Sequence, residues 1–441
     1  MSNPIDPKTV IPPFEGGVPA EGFYNAGPVL ADDTRWTTPE DAIMKIYAQT
    51  AQEDFARYVR ILEAAGFEDL WINENAAFSA VSGHCDGAQV YAYRTKATGE
   101  VRLICETEAS TPVTKISRGV GQGTEEICQY ALYYDPENGH SSTTTNCGMF
   151  YAVKLADSSL FLIDGGDELQ CSDEAVAGML AFLREFSGVA EGEKIRISGW
   201  FFTHAHGDHM AACIRLLRTY PDAFILDGVY LNFPSSSVAR GDSEKILLMD
   251  TLREFKERDA AVVKLHTGMT FSLAGTRFDV LYTHEDAVKP ENPSVYPFRD
   301  FNCTSTVLKM TTKSGGSVMW LGDTNVETEA LVAKTVPAEL WKSDVVQIAH
   351  HCFNYLSTLY PMIDANWAML PNSVFGGHTP ENDPKRREVE AVLADPANLW
   401  YEDKTTVFRF EDGQYKVVRE LDRVGGEHDG TDLLGRKHPV N

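Results

Sequence analysis

Three histidines and one aspartate occupy six consecutive positions of the chain, as His204, His206, Asp208 and His209. They follow the apolar run IRISGWFFT, which predicts a buried strand over residues 195–203. Side chains at a strand end and in the turn after it can point into one space without disturbing the core. The pattern offers two imidazoles to one cation, and a carboxylate with an imidazole to a second. Because borderline cations such as Zn²⁺ prefer mixed nitrogen and oxygen donors, the segment predicts a metal site.

Further ligand-type residues end three other apolar runs. SLFLID ends at Asp164, MWLGD at Asp323, and VVQIAHH at His350 and His351. Asp164 is interpreted as a carboxylate that hydrogen-bonds a ligand histidine, with an ordinary Asp-Gly turn as the alternative. Asp323 is predicted to bridge two metals. Strand alternation directs His350 and His351 to opposite sides, so one would complete the second metal and the other would contact substrate. The sequence leaves open which is which.

Two residues outside these runs are candidates for substrate contact. His378 lies in the Gly-rich stretch SVFGGHTP, where it could protonate a leaving group or hold a phosphate; a solvated turn histidine is the alternative. Tyr355 follows the double histidine and could line the pocket, with an ordinary packed tyrosine as the alternative. His266 and His284 flank predicted strands and are expected to be structural.

The overall composition disfavours several classes of partner. The 441 residues carry a net charge of −25, which opposes non-specific binding to nucleic acid or to an anionic membrane surface. No apolar run approaches the ~20 residues of a membrane-spanning helix, and no signal peptide is recognisable, so we expect a soluble, cytoplasmic protein. The eight cysteines form no C-x-x-C pair, which predicts reduced, mostly buried thiols. The oligomeric state stays open.

Patterning along the chain predicts three regions. Residues 1–36 are rich in Pro and Gly and predict an extended strap. Residues 37–110 predict a small α+β domain, in which a helix over residues 37–67, with a possible break near Ala51, precedes several strands. Residues 111–441 alternate continuous apolar strands with helices, which is typical of sheets buried on both faces. The predicted fold class is α/β with a small N-terminal α+β domain.

The segments LIDGG, THAHGDH, LGDT and HH, in this order and strand context, resemble the metallo-β-lactamase superfamily of hydrolases. The resemblance covers the chain from about Thr111 onward and implies an αββα sandwich with a metal site at one edge. The segments FDVLYTHED, FNCTSTVLKM, DVVQIAHHCFNYLS and NSVFGGHTPEN are similar to a narrower group. That group comprises the hydrolase domain of the competence DNA-uptake channel family and the phosphorylcholine esterases. The narrower similarity implies a phosphoester substrate, whereas a role in DNA uptake does not carry over without membrane spans.

The chain departs from the broader superfamily at one position. That superfamily has a further histidine before the strand of the bridging aspartate, where this chain has Asn302 and Cys303; the narrower group lacks it too. The resemblance then implies that His204, His206 and Asp323 hold the first metal, with water or substrate oxygens in the remaining positions. Asn302 and Cys303 would lie beside these ligands. A Cys303 thiolate is an alternative ligand, and a buried thiol is the favoured interpretation.

These features together predict a hydrolase with two divalent metal ions, zinc first and manganese or iron as alternatives. Asp208 would orient a hydroxide nucleophile while it binds the second metal. His378, or the spare histidine of the pair, would act as general acid. A small phosphoester is the favoured substrate, on the resemblance alone. A lactonase or thioesterase on the same metal core, a di-iron redox protein and a binding protein with a degenerate site remain alternatives.

Overall fold

The computed structural model describes residues 11–26, 42–107, 110–132, 148–234, 250–371, 384–402, 404–422 and 436. Their strands form three sheets, called here the N-terminal sheet, the first sandwich sheet and the second sandwich sheet. Helices lie between the strands in sequence, so the protein is a mixed α/β protein. Among the described helices, none combines the length and the apolar composition needed to cross a lipid bilayer.

The N-terminal sheet is mainly an antiparallel meander in the order β1-β3-β7-β6-β5-β4, and β2 also pairs with β3. Its strands are β1 (Val18–Pro19), β2 (Tyr24–Asn25), β3 (Ala42–Ala48), β4 (Glu68–Glu74), β5 (Phe78–Cys85), β6 (Ala88–Thr95) and β7 (Glu100–Thr107). The β5–β6 hairpin turns at Asp86 and Gly87, whose φ values are 49° and 76°. Two positive φ values are what a two-residue Asp-Gly hairpin turn requires. The strands predicted after the first helix are present as β4 to β7.

The helix predicted over residues 37–67 is wrong in its first half. Residues Ala42–Ala48 form β3, which pairs with β7 on one side and with β1 and β2 on the other. Helix α1 covers only Gln52–Ala64, and it begins after Ala51, where the predicted break falls. Both faces of β3 are buried, one under α1 and one against the sandwich, so its apolar residues do not alternate with polar ones. Residues 37–41 lie outside the described residues.

The two sandwich sheets contain the remaining strands. The first sandwich sheet has the order β14-β13-β11-β10-β9-β8-β22-β23, with β12 paired to β11, and the second runs from β15 to β21 in sequence order. The first contains β8 (Glu126–Gln129), β9 (Phe150–Lys154), β10 (Leu160–Asp164), β11 (Ile195–Phe201), β12 (Phe224–Leu226), β13 (Gly228–Leu231), β14 (Ala261–Lys264), β22 (Lys404–Glu411) and β23 (Gln414–Asp422). The second contains β15 (Thr270–Leu273), β16 (Thr276–Tyr282), β17 (Val307–Thr311), β18 (Ser317–Trp320), β19 (Val345–Gln347), β20 (Trp367–Leu370) and β21 (Leu399–Tyr401).

The helices of the sandwich follow its strands in sequence. They are α2 (Asp173–Ser187), α3 (Gly207–Thr219), α4 (Val326–Thr335), α5 (Ala338–Trp341), α6 (Leu359–Ile363) and α7 (Pro384–Glu390). Local chemistry fixes the ends of α2. The Ser172 hydroxyl accepts a hydrogen bond from the Ala175 amide at 3.1 Å, and Gly188 ends the helix at φ 75°. A serine before the first turn and a left-handed glycine after the last turn are common helix caps.

The two sandwich sheets face each other across an apolar core. Phe161 of β10 lies against Phe278 of β16 with ring centroids 4.3 Å apart. The neighbouring Leu162 points the other way, toward the outer core that contains residues of α2 and α3. Helices α4, α5 and α6 pack in the same manner on the outer side of the second sheet. The layers are therefore α, β, β, α, and the predicted fold class is confirmed.

A buried polar interface joins the N-terminal sheet to the sandwich. Arg102 of β7 donates to the Glu285 carbonyl at 3.0 Å, and the Tyr93 hydroxyl of β6 donates to Asp286 Oδ1 at 3.0 Å. His266 Nδ1 is 3.0 Å from the Glu285 carboxylate. These contacts all converge on the short turn after β16. Although the sheets are in contact here, the chain division at residues 36 and 110 stays a prediction.

Acid should weaken the fold through His284, which is buried in this interface between the rings of Tyr24 and Tyr296. Burial lowers the pKa of His284 to about 4, despite the opposing charge of Glu285. Between pH 6.5 and 4.5 the unfolded chain takes up a proton that the folded chain does not. The free energy of unfolding should therefore fall by about 2 kcal/mol over that range.

Urea denaturation at several pH values between 6.5 and 4.5 measures this effect, and His284→Gln should reduce the slope of stability against pH. This pH range is chosen to avoid the titration of Glu285. Burial raises the pKa of that carboxyl, but His266 and its hydrogen bond outweigh burial and hold the pKa at about 2. Equal slopes in the wild-type protein and the variant would show that His284 does not carry the effect.

Candidate metal centre

The first group of ligand-type residues lies in the connection between β11 and α3. Helix α3 begins at Gly207, and His206 precedes it in an extended conformation with φ −99° and ψ 157°. Asp208 therefore lies in the first helical turn, where the positive end of the helix dipole favours a carboxylate. His204 and His209, on either side of this turn, are both buried. The turn thus presents four possible ligands at one edge of the sandwich.

Four residues form a compact group of donors at this edge. Ligand atoms of Asp208, His209, Asp323 and His351 all lie within 4.8 Å of one another. His351 Nε2 is 3.2 Å from Asp208 Oδ2 and 3.5 Å from Asp323 Oδ2, and His209 Nε2 is 3.3 Å from Asp323 Oδ2. Two donors bound at about 2.1 Å to a tetrahedral cation are about 3.4 Å apart. The four residues could therefore bind one cation with little movement.

His204 and His206 extend this group. His204 Nε2 is 3.8 Å from Asp323 Oδ2, and its ring centroid is 4.2 Å from that of His209 and 4.8 Å from that of His206. His206 Nε2 in turn lies 3.8 Å from Asp300 Oδ1. Asp323 Oδ2 is therefore within 3.8 Å of ring nitrogens from three histidines. A carboxylate in that position can serve two neighbouring cations.

The electrostatics of the group favour a bound cation. Burial lowers the pKa of His209, but the carboxylates of Asp323 and Asp164 outweigh it and raise the pKa to about 10. Burial raises the pKa of Asp323, yet the nearby His209 and His351 hold it well below its usual range. Burial and the proximity of His209 keep the pKa of His204 well below its usual range. The carboxylates around His209 thus stabilise a positive charge at this point, and they would stabilise a divalent cation in the same way.

The hydrogen bonding of the group also fits a metal. His204 Nε2 and Asp323 Oδ1 are buried and make no hydrogen bond within the part of the chain that the structure describes. A buried polar atom left without a hydrogen bond costs ~1–3 kcal/mol, so such atoms usually have a partner of another kind. Imidazole and carboxylate donors suit zinc, manganese and iron alike. The residues therefore fit a bound divalent cation.

Asp164 connects two of these histidines to the body of the sandwich. His209 Nδ1 donates to Asp164 Oδ2 at 2.7 Å. Asp164 also accepts hydrogen bonds from the Thr203 amide and hydroxyl, and that hydroxyl lies 3.1 Å from His204 Nδ1. With Nδ1 engaged in this way, each histidine directs Nε2 toward Asp323. One buried carboxylate thereby orients two ring nitrogens.

Asp164→Asn should weaken metal binding by about 10- to 100-fold while the fold is kept. The amide has the same shape, and asparagine tolerates the left-handed backbone at this position, where φ is 56°. The amide side chain lacks the negative charge that anchors His209. Titration of the chelated protein with Zn²⁺ measures the affinity. Asp157→Asn, in the exposed turn before β10, is the matched control, and equal affinities in both variants would contradict the assignment.

Backbone conformation, not strand alternation, separates the two adjacent histidines. β19 ends before them, and His350 and His351 lie in a 3₁₀ turn with φ values of 52° and 49°. His351 Nδ1 donates to the Pro371 carbonyl at 3.1 Å, which leaves Nε2 facing the aspartates. His350 is half-buried and hydrogen-bonds the side-chain amides of Asn302 at 3.0 Å and Asn354 at 3.2 Å. The structure thus brings His351 into the donor group and places His350 beside it.

Asn302 and Cys303 lie in the 3₁₀ turn Phe301–Thr304, near the centre but outside the donor group. Asn302 contacts the centre through His350. The buried Cys303 thiol is 3.6 Å from Asn325 Oδ1. Burial raises the pKa of Cys303 to about 12. The Cys303 thiol faces the side chains of Asn325 and Glu327 and lies outside the donor group, so the structure favours the buried-thiol interpretation over a thiolate ligand.

The remaining candidates lie away from the donor group or outside the described residues. The Tyr355 ring packs against Tyr360, with centroids 5.5 Å apart, in the apolar layer outside the second sandwich sheet. This contact is of the kind expected for the packed alternative, and the pocket-lining role of Tyr355 stays a prediction. His378 lies outside the described residues, so its predicted role stays a prediction. His266 and His284 lie in the polar interface with the N-terminal sheet.

Two residues that contact the centre were not predicted from the sequence. Asp300 precedes the turn that carries Asn302 and lies beside His206. Thr203 links Asp164 to His204. A threonine at a strand end and a single aspartate in a loop have no spacing pattern of their own. Asp300 lies two residues before Asn302, where the broader superfamily has a histidine, and this position was the sequence feature that could have indicated a role for Asp300.

No protein-family model and no curated protein matches the chain. Solved structures that it resembles include CmlA, a diiron β-hydroxylase from Streptomyces venezuelae, with 13% identity and a TM-score of 0.34 over 71% of this chain and 55% of that chain. Unliganded PDE1 from yeast has 13% identity and a TM-score of 0.36 over 63% of this chain and 97% of that chain. A metallo-β-lactamase from Cronobacter sakazakii has 13% identity and a TM-score of 0.27 over 53% and 79%.

These matches cover too little and are too distant to support an inference about the site or the activity of this protein. The matched region spans about half the length of the CmlA chain. TM-scores of this size transfer neither a site nor an activity, so the αββα arrangement rests on the packing of the sheets and helices themselves. The narrower resemblance to the DNA-uptake hydrolase domain and the phosphorylcholine esterases stays a prediction.

Proposed function

We propose that this protein is a metal-dependent hydrolase that holds two adjacent divalent cations at the edge of its sandwich. The observation that carries the proposal is the position of Asp323 Oδ2, within 3.8 Å of ring nitrogens from three histidines in two separate segments. Zinc is the favoured metal, with manganese or iron as alternatives. The proposed ligands are His204, His206 and Asp323 for the first cation, and Asp208, His209, His351 and Asp323 for the second.

Two bound cations would supply an activated water and would polarise an oxygen of the substrate. The protein's own groups set the geometry for that chemistry. Asp208 and His206 have side chains that are 20% and 22% exposed, whereas Asp323 is buried, so within the described residues the centre is accessible beside Asp208 and His206. Asp208 would hold the nucleophile there. His350, beside that opening, would contact the substrate, and His378 is a candidate proton donor.

A small phosphoester is the proposed substrate. The preference comes from the likeness of the segments around the double histidine and His378 to phosphorylcholine esterases. The net charge of −25 supports a small substrate over a long polyanion, because a negatively charged surface repels one. Lactones and thioesters are the alternative substrates, since the same centre can attack a carbonyl carbon.

Metal analysis combined with a substrate panel tests the proposal. The protein is purified without added metal, and its metal content is measured by elemental analysis. Turnover is then followed with bis-p-nitrophenyl phosphate, p-nitrophenyl phosphate, an acyl thioester and a lactone, before and after chelation. We expect about two metals per chain and phosphoester turnover that chelation removes and Zn²⁺ or Mn²⁺ restores.

Three other outcomes have distinct meanings. A protein that binds no metal, or whose turnover ignores chelation, would refute the metal-dependent mechanism. Turnover of the thioester or lactone alone would keep the centre and change the substrate class. A coloured iron protein that hydrolyses none of the four compounds would favour the di-iron redox alternative.

A further inference from the structure

Three consecutive residues of one turn lie against the His206 side of the centre. Asp300 Oδ1 is 3.8 Å from His206 Nε2. The Phe301 ring meets the His206 ring edge-on, with centroids 5.9 Å apart and an interplanar angle of 87°. The Asn302 amide is 3.0 Å from His350 Nε2. The turn therefore lies directly beside the position proposed for the first cation.

The two proposed cation positions differ in their number of protein donors. The second has four, whereas the first has only His204, His206 and the shared Asp323. A tetrahedral site needs four donors, and a larger coordination shell needs more. The separation of Asp300 Oδ1 from His206 Nε2 equals that of Asp323 Oδ2 from His204 Nε2, at 3.8 Å. Donor pairs at this distance can share one cation.

We propose that Asp300 is a carboxylate ligand of the first cation. This inference rests on the proposed function, because it assumes that the centre binds metal. It gives each cation two imidazoles and two carboxylates, with Asp323 common to both. Relative to a site with three histidines, a second carboxylate makes the donor set harder. The first position should therefore accept Mn²⁺ or Fe²⁺ more readily than a three-histidine site would.

Asp300 also has a structural role that a test must separate from metal binding. Its side chain accepts a hydrogen bond from the Asn302 amide at 3.0 Å and so caps the turn. Alanine would remove the cap and the ligand together. Asparagine caps a turn as well as aspartate does but lacks the negative charge. Histidine at this position would supply an imidazole in place of the carboxylate.

The experiment compares metal binding by Asp300→Asn, Asp300→Ala, Asp300→His and the control Glu291→Gln. Glu291 is an exposed acidic residue nine positions earlier in the same loop. Each protein is stripped with chelator, reloaded separately with Zn²⁺ and Mn²⁺, desalted and analysed for metals per chain. Thermal midpoints in chelator report on the fold. Activity is not needed as a readout.

We expect about two metals per chain in the wild-type protein and in Glu291→Gln, and about one in Asp300→Asn and Asp300→Ala. The affinity for the more weakly bound cation should fall by about 100-fold. Residues that only hydrogen-bond a metal ligand contribute up to about that factor to metal affinity. Asp300→His should regain the second Zn²⁺ and bind Mn²⁺ less well than the wild-type protein does.

Two results would overturn the inference while leaving the proposed function intact. One is a full complement of metal, with unchanged affinity, in Asp300→Asn. The other is loss of metal in Asp300→Ala alone, which would mean that Asp300 acts by capping the turn. A wild-type protein that binds no metal at all would instead refute the proposed function, and the inference with it.

Discussion

Replacing Asp323 with alanine is expected to release both cations and to lower the hydrolysis rate by at least about 1000-fold. The loss follows from the position of Asp323, whose Oδ2 approaches His204, His209 and His351 within 3.8 Å. Metal ions contribute several kcal/mol to transition-state stabilisation, and about 1.4 kcal/mol corresponds to a factor of ten. Removal of a ligand that serves one cation alone would cost one metal. Removal of the shared ligand should cost both.

The fold should survive this substitution. The Asp323 amide donates to Ser305 Oγ at 3.0 Å, and this bond does not involve the side chain. Metals per chain, turnover and the thermal midpoint in chelator should be measured on the same preparation. Glu327→Ala is the matched control, because Glu327 is an exposed carboxylate four residues later in the first turn of α4. Two metals and full activity in Asp323→Ala would refute the shared carboxylate.

The parts of the fold that position the centre could be predicted from the sequence. The apolar runs of β10, β11 and β18 are continuous because each strand is covered by a sheet on one face and by helices on the other. The runs lead to the buried polar residues Asp164, His204 and Asp323. In β3, by contrast, continuous burial led to a wrong prediction of helix. Its segment AIMKIYA has no strict alternation, so it has the same pattern as a buried helix.

The positions of the candidate site residues could be predicted where those residues follow strands, and could not be predicted where they depend on turns. Asp164, His204 and Asp323 lie at strand ends, and the structure brings them together through Thr203 and the shared edge. Alternation rules fail at the double histidine because left-handed backbone angles follow β19. Asp300 comes close to His206 only through the tertiary path of a long loop, and no local pattern encodes that path.

His351→Asn should lose the second cation, whereas His350→Asn should keep both. Asparagine suits this comparison because it tolerates the left-handed conformation that both histidines adopt, so the two variants carry similar backbone strain. In His351→Asn the short side chain cannot reach the position of Nε2, which lies 3.2 Å from Asp208 and 3.5 Å from Asp323. We expect about one metal per chain and a loss of activity of at least about 100-fold.

His350 differs because both of its ring nitrogens already face amides, at 3.0 Å and 3.2 Å, on the two asparagines beside it. Its removal should leave about two metals per chain and change turnover through substrate contact, visible as a raised KM or a lowered kcat. Elemental analysis of the desalted proteins decides between the two histidines without any knowledge of the substrate. Loss of metal from His350→Asn and its retention in His351→Asn would reverse the assignment, because a ring that binds the cation cannot also be dispensable for holding it.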